Sequence, residues 1–220
     1  AIDELLFDCN KLAKGHEYFN LSNIRVSPNN KYAAFSTDTI SRRLYTIKIK
    51  NLETGEILGE SINNSSGSFV WANDNSTLFY TIRDYKTLRI NKIYKHTLGS
   101  NSKQDKLVYH EKDKTFYTNV SRSKSNKYII ISSYSTLTSE FQFLDADLPN
   151  HNFKLFTKRK RGLEYSISHF EEDFFIITNR DNCKNYKLMK TSIDNTDYKN
   201  WKTVIEHRKD VLIEGIDIFK

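Results

Sequence analysis

One short phrase, repeated four times with variations, constrains this chain more than any other feature. Its clearest copy is Ser68 to Thr81, SFVWANDNSTLFYT: an apolar run, a polar turn, then a second run of aromatic and β-branched residues. Asn73, Asp74, Asn75 and Ser76 are turn formers and the flanks suit a pleated, half-buried surface, so the phrase reads as two antiparallel strands joined by a tight loop. Setting Val26, Val70, Val120 and Ile167 beneath one another aligns VSPNNKYAAFS, VWANDNSTLFYT, VSRSKSNKYIIIS and ISHFEEDFFIIT at intervals of 44, 50 and 47 residues. Ile216, 49 residues further on, falls in a fifth beginning, GIDIF. Strand-rich units that repeat every 40 to 50 residues, roughly, are the mark of β-propeller blades.

The chain is therefore expected to be all-β, one partial propeller domain over 1–220 with four complete four-stranded antiparallel blades at about 21–60, 67–110, 115–157 and 163–206. In the first, strands are expected up to Val26, over Tyr32 to Thr37 and Tyr45 to Lys50, and again from Glu56 to Gly59, with turns at Pro28–Asn29 and Asn51 to Gly55. The second blade opens at Phe69 to Ala72, and the third closes with Asn152 to Thr157. Partial blades are expected at 1–10 and 214–220: Ile2 to Asp8 as an outer strand, followed by Lys11 to His16 as a polar connector, and Glu214 to Phe219 as an opening strand. Four blades and two fragments are too few for a ring of about six to eight, and an open array leaves strand edges and apolar faces in water. The expectation is a piece of a larger propeller, prone by itself to self-association.

Composition narrows the function classes. The formal charge of +7 is scattered through turns rather than gathered in a block, and no stacking or groove-binding motif accompanies it, which argues against nucleic acid as a partner. No run of 18 apolar residues exists, so no spanning helix and no membrane partner are expected. Cys9 and Cys183 form neither a disulfide framework nor a zinc site; a reducing, cytoplasmic compartment is the simpler expectation.

Motifs that carry chemistry are missing. Gly67-Ser68 and Gly99-Ser100 lack the flanks of a Gly-x-Ser-x-Gly elbow, and there is no HExxH, P-loop, GxGxxG or calcium loop. His16, His96, His110, His151, His169 and His207 are spread without ligand spacing and read as strand or turn residues bonded to neighbours. Asp145 and Asp147 are two apart and fit an Asx turn better than a cation site. Lys158 to Arg161, KRKR, is the one dense basic run; it ends in Gly162 and reads as a solvated loop between blades. Trp71 and Trp201 are read as packing residues. No catalytic, cofactor-binding or metal-binding residue is therefore expected.

Several phrases go beyond a generic propeller. LAKGHEYFNLSNIRVSPNNKYAAFSTD, LYTIKIKNLETGE, NKIYKHTLGS, QDKLVYHEKDKTFYTNV, TSEFQFLDAD, EYSISHFEEDFFIITN and HRKDVLIEGIDIF resemble, in this order, the propeller of the oligopeptidase B branch of the prolyl oligopeptidase family of serine peptidases. The resemblance implies a seven-bladed, non-catalytic propeller capping an α/β-hydrolase domain. That second domain would hold the catalytic Ser, Asp and His and most of the carboxylates that select basic residues, so no catalytic residue carries over to this chain. The implied function is a substrate-gating region of an oligopeptidase cleaving short peptides after Arg or Lys, with the hydrolase domain of the same polypeptide as partner. The alternative is a stand-alone interaction scaffold; against it, the repeats carry no GH…WD signature.

Overall fold

The computed structural model describes residues 4–219. Ala1, Ile2 and Asp3 of the expected first partial blade, and Lys220 of the last, lie outside the described residues. The chain divides into two compact units, Ala1–His110 and Glu111–Lys220.

In the first unit a five-residue helix, α1 (Cys9–Ala13), is followed by β1 (Asn20–Val26), β2 (Tyr32–Asp38), β3 (Tyr45–Asn51), β4 (Ile57–Trp71), β5 (Thr77–Arg83), β6 (Ile90–Thr97) and β7 (Lys106–His110). These strands pair antiparallel with their sequence neighbours in one sheet ordered from β1 to β7. Two blades are thus joined through β4, whose N-terminal part pairs with β3 (Lys50 opposite Ile57, Ile47 opposite Ile62) and whose C-terminal part pairs with β5 (Val70 opposite Phe79). The sequence predicts two separate strands here; the chain between them stays extended. Asn64 at φ 60° and Gly67 at φ 91° bend it at isolated residues, and the Ser65 hydroxyl accepts the Gly67 amide at 2.9 Å, so the polar stretch INNSSGS turns from one blade into the next without a loop.

The second unit holds β8 (Tyr117–Arg122), β9 (Tyr128–Tyr134), β10 (Ser139–Asp145) and β11 (Lys154–Leu155) in one sheet, and β12 (Tyr165–Phe170), β13 (Asp173–Thr178), β14 (Lys187–Ser192) and β15 (Lys202–Ile205) in another. Each is a four-stranded antiparallel blade. β11 is shorter than the Asn152 to Thr157 strand expected from sequence: beyond Leu155 the Phe156 amide still donates to the Phe141 carbonyl of β10 at 2.9 Å, while its ring is buried in the core and the Thr157 hydroxyl accepts the Tyr198 amide.

Asparagine sets the hairpin turns. Asn30, Asn75 and Asn126 occupy corresponding positions with φ of 59°, 61° and 61°, a conformation Asn tolerates better than other non-glycine residues. The turns close with the Ser27, Ala72 and Ser123 amides donating to the Tyr32, Thr77 and Tyr128 carbonyls, each at 2.8 Å. This geometry corrects the alignment on Val26, Val70 and Val120. Val26 faces Ala33, and the corresponding pairs are Trp71 with Leu78 and Arg122 with Ile129, so Val70 sits one residue and Val120 two residues before Val26's position. A one-residue slip exchanges the faces of a strand, so Val70 lies on the face opposite to that of Trp71, which holds Val26's position. Ile167 lies in a different hairpin, closed by a two-residue turn with Glu171 at φ 52°.

The terminal segments do not form the expected strands. Residues 4–8 are irregular and Asp8 caps α1 by accepting the Lys11 amide at 3.0 Å, where a strand and a polar connector were expected. Residues 212–219 are also irregular: Asp217 meets Lys124 at 3.2 Å and the Phe219 ring sits 3.9 Å from the Lys124 ammonium. One backbone bond, from the Ile213 amide to the Asn185 carbonyl at 3.1 Å, and these side-chain contacts hold the segment without a continuous ladder.

Apolar residues from both blades of each unit form its core. In the first, Ala34, Ile47 and Ile49 meet Phe69, Trp71, Leu78 and Tyr80. In the second the core is aromatic: Tyr128, Phe143, Phe156 and Phe174 pack with centroids 5.1 to 6.1 Å apart in mostly edge-on or tilted pairs, and Tyr165 lies 5.2 Å from Trp201. Burying each such ring stabilises the fold by about 1.5–3 kcal/mol.

Candidate functional site

The first strand of a blade is its channel-side strand in a propeller, and here those strands are built of small polar residues. β1 reads NLSNIRV, β8 YTNVSR and β12 YSISHF, and each ends the order of its sheet. Asn23 is a bulge residue at φ 50° whose amide group donates to the Gly67 carbonyl at 2.6 Å. The Ser36 hydroxyl of β2 donates to the Ser22 carbonyl at 2.7 Å and the Trp71 indole to the Arg25 carbonyl at 2.9 Å, so the β1 edge is held from its own blade and from the second. Ser121 and Ser166 are exposed. Such an edge offers backbone groups, hydroxyls and amides to an extended peptide; it has no activated nucleophile.

Three polar clusters are at least partly buried, the third of them including His169 of β12 itself. In the first unit, His96 is almost wholly buried between two carboxylates: Nδ1 lies 2.8 Å from Asp105 Oδ1 and Nε2 3.0 Å from Glu60 Oε2. Tyr80 donates to Asp105 at 2.9 Å, and the Gly99 amide donates to Glu60 at 2.8 Å. Burial, with Asp105 beside it, pushes the Tyr80 hydroxyl far above its ordinary range. The imidazole is thus a two-ended staple tying β4 to β6 and to the loop before β7, and no serine or cysteine stands where a nucleophile would.

In the second unit Arg159 is the exception within KRKR. Lys158, Lys160 and Arg161 are exposed as expected, whereas Arg159 Nη2 donates to Glu111 Oε2 at 2.6 Å and to Glu140 Oε1 at 3.0 Å, with its guanidinium 3.7 Å from the Phe116 ring centre. Partial burial works against its charge, but the two carboxylates outweigh that and raise its pKa. The run that reads as a solvated loop therefore contains one clamp.

The third cluster is a Ser–His pair that no motif search finds, since Ser125 and His169 lie 44 residues apart and meet at 2.8 Å through Oγ and Nδ1. Burial pushes the His169 pKa down, and Nε2 is buried without a hydrogen-bond partner. With no acid on Nε2, the pair is not a triad. A tyrosine edge, Tyr128 at 4.7 Å, packs against the ring.

The other residues singled out by sequence fall as follows. His16, His110 and His151 are exposed, and His207 is half-buried. Asp145 accepts the Asp147 amide at 2.9 Å, an Asx turn. Trp71 and Trp201 are core residues. Gly67-Ser68 lies within β4, and the Ser100 hydroxyl donates to the Thr97 carbonyl at 2.6 Å. Cys9 is exposed, Cys183 is buried and neither is bridged. Among the described residues no group of three His, Cys, Asp or Glu side chains is placed to hold a metal ion, and no helix is long and apolar enough to cross a membrane.

Comparison with known proteins adds what the polar edge alone cannot supply. Residues 2–220 match the family described as the prolyl oligopeptidase N-terminal β-propeller domain. The chain belongs to this family. It is 39% identical over its whole length to dipeptidyl aminopeptidase BI of Pseudoxanthomonas mexicana, and 31% identical to protease 2 of Moraxella lacunata. Among solved structures it resembles oligopeptidase B from Leishmania major (TM-score 0.89, 26% identity over 96% of the chain). Oligopeptidase B from Trypanosoma brucei with covalently bound antipain is equally similar (TM-score 0.89, 28% identity over 98% of the chain). The chain spans 30% and 32% of the length of the two relatives and 30% of each of these structures. As a prolyl oligopeptidase propeller, its blades are of the four-stranded antiparallel kind expected from the repeats.

Proposed function

We propose that this chain is the substrate-gating propeller of a serine oligopeptidase, joined on one polypeptide to an α/β-hydrolase domain that performs acyl transfer on short peptides. The family match over residues 2–220 carries this reading. The polar, hydrogen-bonded edge of β1 supports it: a strand fixed from behind presents a wettable surface along which an unfolded peptide can pass, while a folded protein is excluded by size. Cleavage after Arg or Lys is the specificity we assign, from the likeness to oligopeptidase B. A second specificity, release of N-terminal dipeptides, is favoured by the 39% identity to a relative named dipeptidyl aminopeptidase BI.

The test uses the full-length polypeptide with two substrates, a short peptide with an internal Arg and a folded protein displaying the same sequence. Turnover of the peptide alone, blocked by a serine-directed inhibitor, is the expected outcome; cleavage of both at similar rates removes the gating role. Mass spectrometry of the products separates the specificities, since cuts after Arg leave fragments of any length and the second activity leaves dipeptides.

A further inference from the structure

One cavity of the second unit is acidic in a chain that is otherwise basic. It measures about 420 Å³, within the range of roughly 300–1,000 Å³ of small-molecule sites, and lies beside the start of β12. Two carboxylates, Glu164 and Glu214, line it together with Tyr186. Ile177 of β13, with Leu212 and Ile213 of the segment after β15, forms its apolar lining. Among the described residues no Lys, Arg or His lines it, although the chain carries a formal charge of +7.

The acid is left without a counter-charge. Elsewhere in this unit carboxylates are matched: Glu111 and Glu140 meet Arg159, and Asp181 meets Lys187. Among the described residues neither Glu164 nor Glu214 is in an ion pair. Glu164 is nevertheless fixed. Its amide donates to Asn179 Oδ1 at 2.9 Å and its carbonyl accepts the Thr178 hydroxyl at 3.0 Å, while the Tyr186 hydroxyl donates to Oε2 at 2.9 Å. Tyr186 is held at φ 58°, a costly conformation for a bulky residue. The neighbouring Asn185 secures the apolar lining: its side-chain amide donates to the Arg208 and Lys209 carbonyls at 3.2 and 2.8 Å, and its carbonyl accepts the Ile213 amide at 3.1 Å. One loop thus orients the carboxylate and positions the aliphatic groups, a preorganisation that lowers the cost of binding.

We infer that this cavity is a subsite for a basic side chain of the peptide substrate, an Arg or Lys other than the one after which the peptide is cut. The guanidinium or ammonium meets Glu164 and Glu214, and the methylene stem covers Ile177, Leu212 and Ile213. Both parts of the lining select this ligand. An unpaired carboxylate accepts a cation through charge-assisted hydrogen bonds, and an apolar wall beside it suits a side chain that is charged only at its tip. A peptide's amino terminus would satisfy the carboxylates and leave the aliphatic wall in water. The inference rests on the proposed function and deepens it: the cavity holds substrate and supplies no reacting group.

Peptide kinetics on the full-length polypeptide test it. The substrates are short peptides that keep one cleaved Arg and place a second Arg at each flanking position in turn, against the same peptides with Gln there. At one position Arg is expected to lower KM by about tenfold relative to Gln with kcat unchanged, roughly the effect of one hydrogen bond to a charged group. Glu164→Gln and Glu214→Gln should each raise KM for that Arg peptide to the value for its Gln counterpart, while Glu206→Gln, at an exposed carboxylate beyond β15, keeps the preference. Equal KM for every Arg and Gln pair, in a native protein whose peptide hydrolysis is blocked by a serine-directed inhibitor, overturns the subsite and leaves the proposed function standing. A preference that follows a free against an acetylated amino terminus, and not the second Arg, overturns the side-chain assignment. Absence of inhibitor-sensitive hydrolysis in the native protein overturns both the subsite and the proposed function.

Discussion

Gly67 shows how one residue can hold two blades in register. Its φ of 91° suits only glycine, and a Cβ there would lie 2.9 Å from Cδ2 of Tyr45. Gly67→Ala is expected to cost about 1–3 kcal/mol from the backbone alone, with the ring contact added. In urea denaturation a Gly67→Ala/Tyr45→Ala double variant should recover the contact's part and not the backbone's; an unchanged midpoint for Gly67→Ala would refute the account. His169 makes a different statement, about pH. Its pKa is lowered from 6.5 chiefly by burial, so the folded state keeps the ring neutral while the unfolded chain takes up a proton near its ordinary pKa. The contribution to stability is full above pH 6.5 and is lost as pH falls through the folded-state pKa. His169→Phe should flatten that acid-side slope in denaturation midpoints taken between pH 7.5 and 5.5, roughly the window flanking an ordinary histidine pKa.

Elements are tied together here by buried polar side chains as much as by ladders. β4 meets β6 through His96 and Glu60, and Asp105 approaches the same ring from the loop before β7. Replacing the imidazole by a hydrocarbon leaves both carboxylates without the ring nitrogen each one faces. His96→Leu is expected to destabilise the chain by about 1–3 kcal/mol, the usual cost of leaving a buried polar group without its hydrogen-bond partner. His96→Gln, which can still donate from its amide, should lose less; equal losses in equilibrium denaturation would show that volume, not polar pairing, decides. Arg159 has the corresponding role in the second unit, where Glu111 precedes β8 and Glu140 lies in β10.

For the whole molecule the question is where the chemistry resides. Ser125 and His169 are the closest approach to a nucleophile and base, but the ring is buried and neutral-favouring and has no acid behind it. The 220-residue chain alone is therefore expected to leave Arg- and Lys-containing ester and amide substrates unhydrolysed above background. Ser125→Ala in the full-length polypeptide should keep native turnover per folded molecule. Turnover by the chain alone, lost on Ser125→Ala, would place catalysis in the propeller.

The repeat of strand, polar turn and strand was legible in the sequence because period-two apolar runs and Asn-rich turns are local properties. Asn30, Asn75 and Asn126 act within their own hairpins. The family was legible too, since its ordered phrases span both units. Register was not: Val26, Val70 and Val120 look interchangeable as letters, yet the turn geometry places Val70 one and Val120 two residues out of step, and alternation turns the one-residue slip of Val70 into the opposite face. The continuity of β4 depends on two bends within a polar stretch that composition reads as a loop, and the terminal segments failed to become strands because pleating requires a partner. The staple at His96, the clamp at Arg159 and the pair at Ser125 and His169 join residues 36, 48 and 44 positions apart. Hydrogen bonds over such separations are set by how the blades fold back on one another, so only the tertiary structure could decide them.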